Sequence, residues 1–152
     1  MYRLIMAIGM VAATCLVFGC GSAAEESSST PLTKAQFIKQ ADQICAKSAK
    51  EREAAAASFI KALPGGAADA EAHLDEGVKQ VVAPSMKEEA TKLAALAAPE
   101  NDVAEVSRMI ENLSKASEVL AEDGSKGLSG SSLPAFEGEA SAYGLKICSN
   151  PY

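Results

Sequence analysis

The chain has 152 residues and a formal charge of −6, from 14 Lys and Arg against 20 Asp and Glu, with one histidine. That acidic balance, with no basic run, argues against nucleic acid and against a polybasic contact to anionic lipid headgroups, since both need clustered Lys and Arg. The length suits one domain able to bury its own core.

Met1-Tyr2-Arg3 makes a short charged start, and Leu4 to Phe18 an apolar stretch of secretory length. A spanning helix needs about 20 apolar residues and a basic stop, and here the run passes into Gly-Ser-Ala-Ala-Glu-Glu instead. Leu16-Val17-Phe18-Gly19-Cys20-Gly21 reads as a bacterial lipoprotein signal, with small Gly19 before the cysteine to be acylated. Bulky Phe18 departs from the small residue usual there. The expectation is cleavage before Cys20 and a diacylglyceryl anchor at that thiol, enough acyl chain for stable attachment. The alternative is cleavage after Ser22-Ala23-Ala24, giving a secreted chain that begins at Glu25 without lipid. Losing Arg3 takes the charge to −6 − 1 = −7 over 152 − 19 = 133 residues.

Of four cysteines, Cys15 leaves with the leader and Cys20 takes lipid, so Cys45 and Cys148 remain. In an oxidising compartment two cysteines allow a single pairing, the alternative being two free thiols. Ala23 to Thr30 is Ser-rich and aperiodic, and reads as a flexible tether reaching roughly 15–20 Å from the bilayer. Thr33 with Gln36 forms a capping box, and Leu32 with Phe37 a hydrophobic staple. Phe37, Ala41, Ile44, Cys45, Ser48, Arg52, Ala55, Phe59 and Leu63 then recur at helical steps broken only by Arg52, and Pro64-Gly65-Gly66 ends the segment.

A second helix is predicted over Ala68 to Ala98, with Leu74, Val78, Val81, Val82, Met86, Ala90, Leu93 and Ala97 as its apolar stripe. Because the stripe keeps phase across Pro84, one kinked helix is favoured over two. A third opens at Asn101-Asp102, carries Val103, Val106, Ile110, Leu113, Ser117 and Leu120, and stops at Asp123-Gly124. Gly124 to Ser132 is read as a mobile connection. A short last helix, Pro134 to Tyr143, presents Phe136, Ala140 and Tyr143, after which Leu145, Ile147 and Cys148 return to the core. The fold class is therefore all-α: an antiparallel bundle of three main helices and a short fourth, closed by one disulfide.

The signals for chemistry are weak. His73 has Asp69, Asp75 and Glu76 nearby but no second imidazole at metal-ligand spacing, so it reads as a surface residue. Met86 and Met109 at helical spacing, without a C-x-x-C-H attachment, read as core and not as axial ligands. Glu88-Glu89 and Glu137 with Glu139 are taken as charges on solvated faces, and Asn112-Leu113-Ser114 as a chance match to a glycosylation acceptor. No nucleophile elbow is present. No catalytic residue, metal or cofactor is expected.

Leu32 to Ile38, Ala41-Asp42-Gln43-Ile44-Cys45, Ala83-Pro84-Ser85, Leu93 to Leu96 with Pro99, and Ala142-Tyr143-Gly144-Leu145-Lys146-Ile147-Cys148 together resemble a group of small uncharacterised actinobacterial secreted proteins and lipoproteins. The resemblance covers nearly the whole mature chain. It implies the cysteine pair and an envelope location, and it carries no activity, ligand or functional residue.

The organisation expected is a lipoprotein signal over 1–19, a lipidated Cys20 with tether over 20–31, and a helical domain over 32–152. Its role is expected to be that of a monomeric interaction module at the cell envelope, its partner a protein or cell-wall component. The second reading is a carrier or sensor of a small apolar ligand in a helix–helix cleft lined by Val81, Val82, Met86, Ile110 and Leu113. A secreted enzyme comes third.

Overall fold

A computed structural model describes residues 30–130 and 132–150. The leader, Cys15, Cys20 and the tether up to residue 29 lie outside the described residues. Among the described residues the chain is all-helical and has no strand.

Helix α1 spans Lys34–Ala62. Its first turn is closed as the sequence predicts: the Gln36 amide donates to the Thr33 hydroxyl at 3.3 Å, and the Thr33 amide to Gln36 Oε1 at 2.9 Å. Two orphan donors are thereby satisfied reciprocally. The buried face runs through Phe37, Ala41, Cys45, Ser48 and Arg52, so the one charged residue on the stripe lies inside the molecule. Beyond Arg52 that face is only partly covered.

After a 3-10 turn at Gly66–Asp69, helix α2 (Leu74–Gly77) passes through a π turn at Val78–Val82 directly into α3 (Ala83–Ala94). The Ala83 amide donates to the Val78 carbonyl, five residues back. This wide turn absorbs one extra residue just before Pro84, whose ring would otherwise press on the preceding turn. The helix crosses the proline unbroken, but its face does not keep phase as the sequence suggested. Burial steps from Val78 to Ala83 and on to Met86, Ala90 and Leu93. The added residue leaves Val81 and Val82 at the edge, only partly covered. The helix is also shorter than expected, and Leu74 is 52% exposed.

Helix α4 (Val103–Glu122) buries Val106, Met109, Leu113, Ala116, Ser117 and Leu120. Asp102 precedes it without capping it, because its carboxylate accepts instead from the Tyr143 hydroxyl at 2.7 Å. Gly124–Ser129, expected to be mobile, is a helical turn, α5. Asp123 caps it by accepting from the Lys126 amide at 2.9 Å, and Asp75 holds it by accepting from the Ser125 amide at 3.1 Å. Its glycines serve close approach: a Cβ on Gly127 would lie 2.7 Å from Leu120, and one on Gly124 2.8 Å from the Asp75 carbonyl. Composition alone suggested slack where the fold uses absent side chains to dock a turn.

Helix α6 (Ser132–Tyr143) buries Leu133, Phe136, Ala140 and Tyr143. Gly144, at φ 105°, turns the chain in a conformation that favours glycine. Leu145 and Cys148 then enter the core, whereas Ile147 stays 43% exposed, contrary to its predicted place inside. α4 packs on α3, α5 and α6, and α1 on α3 and the π turn.

The C-terminal segment is clasped to α1. Cys45 and Cys148 are bonded, their Cα atoms 5.2 Å apart, and Asp42 lies on the preceding turn of α1. The Asp42 carboxylate accepts from the amides of Lys146, Ile147 and Cys148 at 3.2, 2.8 and 3.3 Å. Tyr143 meets Phe37 edge-on at 5.8 Å, with the Lys34 ammonium 3.9 Å above its ring. Replacing Asp42 by alanine should cost about 1.5–3 kcal/mol, the scale of charge-assisted hydrogen bonding, because water can reach part of this exposed turn. Urea unfolding of the oxidised protein measures this. Hydrogen exchange at the amides of residues 146–148 should rise in parallel.

Candidate functional site

Residues singled out from the sequence do not converge on a catalytic centre. His73 is partly exposed, its Nδ1 3.1 Å from Glu76 Oε2. Met86 and Met109 are core. Asn112 lies mid-helix on α4 and donates to Glu139 Oε2 at 2.9 Å, while Arg108 donates to Glu139 Oε1 at 2.7 Å and holds that carboxyl below its ordinary range. Among the described residues there is no cluster of His, Cys, Asp and Glu able to hold a metal ion.

An apolar space lies where α1 faces the π turn. A cleft of about 170 Å³ is walled by Ala56, Phe59 and Ile60 of α1 and by Leu74, Val78 and Val81 across from them. Its surface is almost entirely apolar. Two local features of sequence create it. The run Ala54–Ala57 gives α1 short side chains there, so the facing helix cannot close on them, and the phase shift at the π turn leaves Val81 and Val82 at the edge. The cleft expected from sequence shares only these valines with the observed one. Met86 and Leu113 are close-packed core, and Ile110 borders a separate surface groove with Val106 and Leu96.

One turn back along α1 the same seam becomes polar. A second hollow of about 270 Å³ is bordered by Ser48, Arg52, Gln80, Val81 and Ser85. Arg52 is 6% and Glu89 1% exposed, with Arg52 Nη1 3.6 Å from Glu89 Oε2 and 3.5 Å from the Ser85 hydroxyl. Burial pushes the Glu89 carboxyl above its ordinary value, and the Arg52 charge and the Ser48 hydrogen bond only partly oppose it. Neighbouring Glu88 is exposed and bonded to Lys92 at 2.8 Å, which holds its carboxyl low. Glu88-Glu89 is therefore not a solvated pair: adjacent carboxyls are driven apart in pKa, one by burial and one by a lysine. In sequence Arg52 is only a break in an apolar stripe and Glu89 only one of two adjacent surface charges, and their pairing exists once the two helices are opposite each other.

The clasp between α1 and the C-terminal segment is closely packed. The Tyr143 hydroxyl is pushed up by burial and by its bond to Asp102, so it stays protonated as a donor. The seam between α1 and the π turn thus has room and mixed polarity suited to binding. Comparison of the chain with protein-family models, curated proteins and solved structures finds no match.

Proposed function

We propose that the chain is an extracytoplasmic, lipid-anchored binding module, held at a membrane by acyl chains on Cys20 and engaging an envelope protein or cell-wall component. The observation that carries this reading is the Cys45–Cys148 bond, which belongs in an oxidising compartment, on a chain whose Leu16 to Gly21 has the form of a lipoprotein signal. The packing of α1, α3, α4 and α6 is read as an antiparallel bundle presented as a monomer on the tether. The chain is read as akin to the small actinobacterial secreted proteins and lipoproteins it resembles; Asp42, Cys45, Tyr143, Gly144 and Cys148, which belong to the segments carrying that resemblance, lie together in the clasp. In this reading the module binds and does not catalyse, and nucleic acid is not its partner.

A second reading, a carrier or sensor of a small apolar ligand, is favoured by the cleft between α1 and the π turn. No helix among the described residues is long and apolar enough to cross a membrane. The test of attachment through the acyl anchor is Cys20→Ser. Its expected result is loss of the protein from the membrane fraction, together with loss of the diacylglyceryl mass from the mature N-terminus. Unchanged fractionation, or a wild-type mature chain beginning at Glu25, would overturn the anchoring.

A further inference from the structure

We propose that the seam between α1 and the π turn binds a single-chain amphiphile, its aliphatic tail against Phe59, Leu74 and Val78 and an uncharged hydrogen-bonding head beside Arg52 and Ser85. This rests on reading the apolar cleft as a ligand site, and goes further in assigning the head and its place.

Continuity comes from the helix. Ser48, Arg52, Ala56 and Ile60 follow one another at steps of four, so they lie on one stripe of α1 about 18 Å long. The lower part of that stripe borders the polar hollow and the upper part the apolar cleft, and Val81 walls both. A ligand lying along the stripe would therefore meet hydrocarbon at one end and, at the other, the Ser48 and Ser85 hydroxyls among the paired charges of Arg52, Glu51 and Glu88. Leu74, exposed at the apolar mouth, is the side chain that a tail would cover.

Charge balance selects the head. Lys47 and Lys92 reach Glu51 at 3.7 and 3.6 Å, Lys92 also holds Glu88, and Arg52 faces Glu89. The lysine pairs are surface pairs that contribute little, whereas Arg52 and Glu89 are buried, so an ionic head beside Arg52 would have to disturb the pair held away from water. A hydroxyl or amide needs no such exchange. Ser85 accepts from Arg52 and, like any hydroxyl, still has a proton to donate.

The test uses the full mature polypeptide produced without acylation. The neutral fluorophore N-phenyl-1-naphthylamine is bound and then displaced by 1-octanol, octanoate or octylamine. The expected results are saturable probe binding and displacement by octanol at lower concentration than by either charged analogue. Ala56→Leu, which fills the cleft, and Leu74→Gln at its exposed mouth should weaken both probe and octanol. Ser85→Ala should weaken octanol about three- to tenfold, the loss of one neutral hydrogen bond, and leave the probe unchanged. Leu74→Gln alters an exposed residue, so it decides the matter even if Ala56→Leu fails to fold. Octanol indifferent to Ser85→Ala, or bettered by octanoate or octylamine, overturns the head assignment while the apolar site stands. Absence of saturable probe binding overturns both.

Discussion

Replacing Cys45 and Cys148 together by alanine is expected to lower the unfolding free energy by about 4–5 kcal/mol, the chain-entropy value for a closed loop of this length. The bridged residues are 103 apart in sequence, so the loop encloses nearly the whole helical domain. Without the bond, the Asp42 carboxylate, the contacts of Tyr143 with Phe37 and Lys34, and the burial of Leu145 are left to hold the C-terminal segment. Domains of this size keep about 5–15 kcal/mol in all, so the loss takes a large share of it. Urea unfolding of the variant, and of the wild type with and without reductant, measures the effect. Equal midpoints in all three would show that the link contributes nothing.

Removing Arg52 is the other large effect, and it should be unequal to removing its partner. Arg52→Met leaves Glu89 1% exposed with no guanidinium beside it, and stranding a buried charge costs about 3–5 kcal/mol. Burial already holds that carboxyl above its ordinary value against the pull of Arg52, and without Arg52 it must move higher. A carboxyl raised on folding contributes stability that is complete below its unfolded value and lost as pH rises through the folded one. The cost of Arg52→Met should therefore be smallest in mild acid, near the ordinary carboxyl range, and grow as the pH rises through neutrality. Glu89→Gln should cost less, because burial already penalises the charged carboxyl at this position and the amide oxygen can still accept from Arg52. The double variant Arg52→Met/Glu89→Leu should recover most of the loss, apolar replacements of buried pairs being often neutral. Thermal or urea unfolding across that pH range separates these outcomes. A pH-independent Arg52→Met would mean that Glu89 stays ionised.

The limits of sequence reading can be seen in individual side chains. Arg52 interrupts an apolar stripe, and sequence offers only the reading of a lapse in the pattern. The structure places Glu89 of α3 against it, and the break becomes a buried pair. Asp102 has the position of a helix cap, yet Tyr143 claims its carboxylate from the far end of the domain. The π turn escaped notice because Leu74, Val78, Val81 and Val82 fit an ordinary helical period, and the five-residue step shows only in which of them are buried.

What the sequence by itself determined is local or a matter of elimination: the Thr33–Gln36 start of α1, the Phe136, Ala140 and Tyr143 face of α6, and the expectation that Cys45 pairs with Cys148. Each depends on residues within a turn or two, or on a count. Only the tertiary structure decided the burial of Arg52 and Glu89, the docked glycines of α5, and the seam with one oily and one polar end. These depend on which side chain a distant helix brings opposite, and desolvation and close contact exist only once the two surfaces have met.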